Sequence, residues 1–191
     1  HASGGDENVL IGDYAGNDLT TGDKNVVIGS EAGDAMTLST RSVAIGSRAL
    51  GGETVGDRTV AIGFASLSSQ VSDSNNETTG NTAVGTETGF YNVTGTNNTY
   101  LGYNSGKGAS EQSNSANTGV GANALVAVST GSSNTALGKD SSAAMTDGHN
   151  NVAIGNNSLE ASTSVGYAVA IGNDAMVNGN ATAAADGTIA I

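Results

Sequence analysis

Short apolar clusters recur along the chain at a nearly fixed distance. Four of them read NVVIGSEAG (25–33), SVAIGSRAL (42–50), TVAIGFASL (59–67) and NVAIGNNSL (151–159). We take as position 0 the aliphatic residue before the shared glycine, which gives Ile11, Ile28, Ile45, Ile62, Val84, Leu101, Val120, Leu137, Ile154 and Ile171. Seven of the nine intervals are 17 residues, and the other two are 22 and 19. Such a period is typical of a solenoid.

The residues around position 0 predict a β-strand in every copy. Position −2 is always Val or Thr, and β-branched residues favour strands. The glycine at position +1 permits a bend that ends the strand. A 17-residue coil would then hold two short strands and two turns. The sequence therefore predicts an all-β fold, a parallel β-roll of about ten coils stacked roughly 4.8 Å apart.

The columns also suggest which side chains face inward. Positions −2 and 0 lie two apart and so share one face of the strand. We predict that this face, which includes Ile45 and Ile154, lines the interior of the coil. Position −1 is mostly Ala and would then point outward. A column of small apolar residues indicates a contact with further copies of the chain, and cyclic oligomers are the usual way to bury one repeated patch.

Two further features concern the turns. Position −3 is mostly Asn, which tolerates left-handed geometry and could form a ladder of stacked amides. The longer intervals place insertions near 66–80 and 107–117, which we expect to be outer loops. Residues 1–7 are interpreted as a tag remnant or leader, and 8–191 as a single β-roll repeat domain.

Composition and charge exclude several classes of partner. Cys is absent, so disulfides and thiolate metal sites are excluded. Trp is also absent, and aromatic residues make up only 4% of the chain. The net charge is −12 with six Lys and Arg, which makes nucleic acid a poor partner. No apolar run approaches the roughly 18 residues of a membrane-spanning helix, so we expect no membrane insertion by this segment.

The repeats resemble those of a known family. SVAIGSRAL, NVAIGNNSL and AVAIGNDAM (168–176) are similar to the head repeats of trimeric autotransporter adhesins, the YadA-like family. NVLIGDYAG (8–16), NVVIGSEAG and NTYLGYNSG (98–106) resemble repeats in tail-fibre and appendage proteins of marine bacteriophages. The resemblance implies a left-handed roll, a homotrimer around a common axis, and a location on a virion or a bacterial cell surface. The period of 17 is longer than is usual in the adhesin heads.

Residues suited to catalysis or metal binding are scarce. The chain has two histidines, His1 and His149, and neither lies in a zinc, nucleophile-elbow or phosphate-binding motif. The segment GGETVGD (51–57) lacks the spacing of calcium-binding nonapeptides. We therefore expect no enzyme activity, catalytic residue, metal site or cofactor.

Four aromatic residues are concentrated just after the longer insertion. Phe90, Tyr91, Tyr100 and Tyr103 fall within fourteen residues. Exposed aromatic faces can stack on sugars or contact a protein receptor. The alternative is that these rings fill coil interiors near the insertion, and the sequence leaves both open.

The favoured function is a structural and adhesive rod in a trimeric surface fibre, most consistent with a bacteriophage tail fibre or appendage that attaches to a host. The head domain of a bacterial adhesin is the first alternative. An ice-binding solenoid would need a flat Thr array, but Thr82, Thr99, Thr118 and Thr135 at position −2 are expected to point inward. A glycan-degrading tailspike enzyme would need paired carboxylates in a groove.

Overall fold

The computed structural model describes residues 5–75, 77–109, 113–177 and 187–191. Eleven short strands follow one another along the chain: β1 (Val9–Ile11), β2 (Val26–Ile28), β3 (Val43–Ile45), β4 (Val60–Ile62), β5 (Thr82–Val84), β6 (Thr99–Leu101), β7 (Thr118–Val120), β8 (Thr135–Leu137), β9 (Val152–Ile154), β10 (Val169–Ile171) and β11 (Ile189–Ala190). They form one parallel sheet in sequence order. The predicted all-β solenoid of about ten 17-residue coils is confirmed.

The register of the sheet follows the repeat residue by residue. Val26 pairs with Val43, and Ala44 pairs with Ala61. The pairing continues across the 22-residue interval, where Ile62 meets Val84. Each column of the repeat is thus a physical stack, and the insertions leave the sheet in register. We number each coil by the strand that it contains, and count positions −4 and −3 with that strand.

The wall opposite the sheet contains no second strand in the described parts of the chain, so the prediction of two strands per coil was wrong. Turns occupy this wall, and they are held by backbone hydrogen bonds from coil to coil. Thr20 N–H donates to Thr37 O at 2.9 Å, and Thr37 N–H donates to Thr54 O at 2.7 Å. Backbone groups are therefore paired all round the coil without regular strand geometry.

Each coil bends through left-handed backbone at positions −4, +3 and +5. Arg41, Arg48 and Leu50 show this in the third coil, with φ of 56°, 59° and 55°. For an L-residue this conformation costs roughly 1–2 kcal/mol. The predicted left-handed position, the Asn at −3, was wrong by one residue, since the positive φ lies at −4.

The structure corrects the prediction of which strand side chains face the interior of the coil. Ala44 is fully buried, whereas Val43 and Ile45 on either side of it are half-exposed. Ile154 is likewise half-exposed beside the buried Ala153. The alanine column lines the interior and the Val/Ile columns point outward, so the predicted faces are reversed. The cause is volume, because a 17-residue coil leaves little room between its walls.

Residue sizes inside the coil compensate each other. Where position −1 is large, position +5 in the same coil is glycine, as for Leu10 with Gly16 and Tyr100 with Gly106. Where position −1 is Ala, position +5 can carry a buried Leu, as in Ala44 with Leu50. Close packing of this kind allows little change in volume at either position.

The predicted asparagine ladder is confirmed. Near the N-terminal end of the roll, Ser42 N–H donates to Asn25 Oδ1, and Asn25 Nδ2 donates across the interior to Ser39 O at 2.7 Å. The same two bonds recur in the middle of the roll, where Asn98 N–H donates to Asn81 Oδ1 and Asn81 Nδ2 donates to Gly95 O. Ser42 and Thr59 occupy the column in coils 3 and 4, so hydroxyls replace amides there.

Some residues for which the sequence made predictions lie outside the described residues. Residues 1–4 of the predicted leader, residue 76 of the first insertion and residues 110–112 of the second are among these. Ser74 in the first insertion is exposed, as expected of an outer loop. No helix in the described ranges is long and apolar enough to cross a membrane.

Candidate functional site

Tyr100 is not available to a receptor, because its ring is 1% exposed and lies inside the sixth coil. Its hydroxyl donates to Asn114 Oδ1 at 2.5 Å. Burial raises the pKa of Tyr100 above its ordinary range, since the charged phenolate would lose its hydration. Of the four aromatic candidates, Tyr100 is therefore an interior residue, and its prediction as a receptor contact is corrected.

Tyr103 is the most exposed of the predicted candidates, with 57% of its surface accessible. It occupies position +2, directly after the bend that ends β6. Phe64 holds the same position two coils earlier and is 49% exposed. Phe64 was not predicted from the sequence, since it lies outside the aromatic cluster at 90–103. Comparing position +2 between coils would have found it.

The two rings lie in one column, with Thr86 between them. Glu87 N–H donates to Phe64 O at 2.9 Å, and Asn104 N–H donates to Thr86 O at 3.0 Å. These bonds keep the three coils in register at the corner. Two coil spacings place the backbones of Phe64 and Tyr103 about 9.6 Å apart.

A charged pair lies beside these rings. Lys107 Nζ donates to Glu87 Oε2 at 2.6 Å, with 28% and 29% of the two side chains exposed. The bond to Glu87 raises the pKa of Lys107. Tyr91 N–H donates to Lys107 O at 2.9 Å, so these two residues lie on neighbouring coils.

Phe90 and Tyr91 are half-buried and contact each other edge to face, with ring centroids 4.6 Å apart. Asn104, next to Tyr103, has a buried Oδ1 without a hydrogen-bond partner among the described residues. We call the group Phe64, Thr86, Glu87, Tyr91, Tyr103, Asn104 and Lys107 the corner patch. It offers aromatic faces and a neutral ion pair within three consecutive coils.

The strand face is a second candidate surface, defined by the side chains at positions −2 and 0. It is apolar over most of its length, and Ile11 (58%) and Leu101 (47%) show how much of it is accessible. Eleven strands give the face a length of about 48 Å at the usual strand spacing. The position 0 column is apolar in all ten coils, and an apolar strip of this length is typical of an interaction surface.

Threonines interrupt this apolar face in the middle of the rod. Thr82, Thr99, Thr118 and Thr135 lie at position −2 of coils 5–8, opposite the buried position −1. Three of them are exposed. The expectation that these threonines point inward was wrong.

The Glu53 carboxylate and the His149 imidazole contact only groups of the protein itself. The Glu53 carboxylate, in the segment 51–57, is buried, and its Oε1 accepts from the N–H groups of Thr54, Val55 and Gly56. His149 is exposed and contacts the Tyr167 ring edge to face at 5.5 Å. Within the described ranges, no group of three or more His, Asp or Glu side chains could hold a metal ion.

No protein-family model, curated protein or solved structure matches this chain.

Proposed function

We propose that this chain is a structural and adhesive segment of a trimeric surface fibre, most consistent with a bacteriophage tail fibre or appendage that attaches to a host. A bacterial adhesin head is the alternative within the same class. The observation that carries the proposal is the outward apolar strand face on a regular rod. Such a face needs a partner along its whole length, and a repeated surface is most simply covered by copies of itself.

The contact between copies differs from the one that the sequence suggested. The alanine column is inside each coil and cannot touch a neighbouring chain. The Val/Ile columns, with Ile45 and Ile154 among them, take over this role in our proposal. Burial of these side chains against each other stabilises the assembly by about 25 cal/mol for each Å² removed from water. The number three rests on the resemblance to adhesin heads.

The proposed fibre also implies a location and a kind of partner. The fibre is extracellular, on a virion or a bacterial surface, and contacts a host glycan or protein receptor through exposed residues such as Tyr103. It performs no catalysis and needs no cofactor. Attachment needs only modest affinity at each copy, because three linked sites gain by multivalency.

The mass of the purified chain in solution tests the assembly. Light scattering should give about three times the 18.6 kDa of one chain. An Ile45→Asp/Ile154→Asp double variant should dissociate to single chains that keep the β-rich circular dichroism spectrum. Ser74→Asp, in the exposed insertion, is the matched control and should leave the mass unchanged. A mass near 18.6 kDa for the unaltered chain would contradict the proposal.

An ice-binding surface is the second candidate function, and the outward threonine column favours it. Thr82, Thr99, Thr118 and Thr135 repeat at the strand spacing of about 4.8 Å on a parallel sheet. Each threonine presents a hydroxyl and a methyl group to water. Ice-growth inhibition by the purified chain, and its loss in a Thr99→Val/Thr118→Val variant, would support this function. Ice growth that is unaffected by the unaltered chain would exclude it.

A further inference from the structure

We infer that the corner patch binds a neutral, linear glycan chain, with Phe64 and Tyr103 as stacking platforms. This inference rests on the proposed attachment function, since it names the chemical class of the receptor. It concerns one chain and does not depend on the number of chains in the fibre.

The aromatic rings are the first argument for a sugar. Phe64 and Tyr103 are each about half exposed, although the chain contains only seven Phe and Tyr residues and no Trp. Two other rings are also exposed, but Tyr14 and Tyr167 lie in the first and tenth coils, far from each other, whereas Phe64 and Tyr103 lie in one column. Flat aromatic faces cover the apolar C–H faces of pyranose rings.

The arrangement of the rings indicates a chain rather than a single sugar. The two platforms lie in one column, separated by the smaller Thr86, with backbones about 9.6 Å apart. A linear glycan running parallel to the rod could place one sugar ring on each platform and pass over Thr86 between them. The coil-to-coil hydrogen bonds fix this spacing before any ligand arrives, which lowers the entropy cost of binding.

Polar groups beside the rings suit hydroxyl recognition. Lys107 donates to Glu87 at 2.6 Å, and their partly exposed atoms retain further donor and acceptor capacity. A few oriented polar groups beside an apolar platform provide direction and specificity in ligand sites.

Charge decides between neutral and anionic glycans. Lys107 is neutralised by Glu87, so the patch has no free cation for a carboxylate or sulfate. The whole chain carries a net charge of −12, and its field repels a polyanion. A neutral glycan pays neither cost.

Calorimetric titration with a panel of soluble oligosaccharides tests the inference on the full chain. The probes are hexamers of β-1,4-linked glucose and N-acetylglucosamine, α-1,4-linked glucose and mannose, with polygalacturonate as the anionic comparison. We expect millimolar or tighter binding of at least one neutral hexamer, weakened about tenfold by Phe64→Ala or Tyr103→Ala. Tyr14→Ala is the matched control, since Tyr14 is 62% exposed but lies in the first coil, away from the patch.

Three outcomes would overturn the inference. These are no binding across the neutral panel, binding of polygalacturonate alone, and neutral binding that Phe64→Ala and Tyr103→Ala leave unchanged. Light scattering of the same samples separates this failure from that of the fibre proposal. A chain that forms trimers but binds no neutral hexamer keeps the fibre and loses the glycan. A monomeric chain that binds one keeps the glycan site and loses the fibre.

Discussion

The Tyr100 ring occupies the space that a side chain at Gly106 would need. A Cβ atom built on Gly106 would lie 2.3 Å from two atoms of the ring, and the Gly106 backbone has φ of +58°. The two residues belong to one coil and together fill its interior. Tyr100, the largest fully buried side chain among the described residues, thus fits because position 106 has no side chain.

Gly106→Ala should lower the free energy of unfolding by about 2–5 kcal/mol, because it adds both an overlap with Tyr100 and left-handed strain. Urea unfolding followed by circular dichroism measures this loss. Gly51→Ala is the matched control, since Gly51 has no positive φ and its nearest contact, Asp34 Oδ1 at 3.3 Å, is a side-chain atom that can move. Equal losses for the two variants would contradict the packing described for the sixth coil.

Tyr100→Phe should cost about 1 kcal/mol, because the ring remains and only the contacts of its hydroxyl to Asn114 Oδ1 and, at 3.4 Å, to Asn98 Oδ1 are lost. The cost should be the same in assembled and dissociated protein, since Tyr100 lies inside one chain. Tyr103→Phe is the control for a solvent-exposed hydroxyl and should be nearly neutral. A silent Tyr100→Phe would argue against the buried position.

Ala44→Leu and Ile45→Ser, at neighbouring positions, should affect different properties, the first the stability of the single chain and the second the assembly of chains. The larger residue at the buried position 44 should destabilise each chain by roughly 1–3 kcal/mol or more, through overpacking against Leu50. The polar residue at the outward position 45 should weaken assembly and leave the stability of the dissociated chain nearly unchanged. Urea unfolding and light scattering on both variants check this contrast, and the reverse result would restore the sidedness predicted from sequence.

Glu53→Ala should destabilise the chain by several kcal/mol, since it leaves the N–H groups of Thr54, Val55 and Gly56 without their acceptor. Glu53→Gln, which keeps one acceptor oxygen and the shape, should cost less. Glu31→Ala is the surface control, because Glu31 makes only an exposed ion pair with Arg48 at 3.7 Å. Thermal unfolding would contradict this role if Glu53→Ala and Glu31→Ala had the same effect.

The Lys107–Glu87 pair should give a stability contribution that disappears in alkali. The pKa of Lys107 is raised above its ordinary 10.5 in the folded chain. The contribution is therefore fully present below pH 10.5 and is lost as the pH rises through the folded pKa. The difference in Tm between the unaltered chain and Lys107→Met should stay constant from about pH 7 to 10 and shrink above it. A difference that instead vanishes near neutral pH would contradict the assignment.

The repeat made most of the fold predictable, because a fixed period determines which residues stack. Val26 lies on Val43 and Ile62 on Val84 as the columns require. Sidedness could not be read from the same columns, since alternation tells which residues share a face but not which face is enclosed. The deciding signal was the exchange of sizes between positions −1 and +5, as in Tyr100 with Gly106, which indicates that position −1 points inward.

The corner patch was predictable only in part. Tyr103 was identified from the local density of aromatic residues, whereas Phe64 lies outside that cluster and joins it only through the stacking of coils. Lys107 and Glu87 are twenty residues apart and meet because one coil lies on the next. Tyr100 looked like its aromatic neighbours in sequence, and only its position −1 distinguishes it as interior.

The change from amides to hydroxyls at Ser42 and Thr59 has a mechanical consequence. Asn25 and Asn81 each tie their strand to the opposite wall through Nδ2, at 2.7 Å from Ser39 O and Gly95 O. The hydroxyl side chains of Ser42 and Thr59 are too short to make this hydrogen bond. Coils 3 and 4 therefore have fewer hydrogen bonds across the interior than the coils on either side. When a fibre is pulled along its axis, the load passes through every coil in series. We expect coils 3 and 4, and coil 10, where Ala168 holds the same position, to yield before the coils that have the amide.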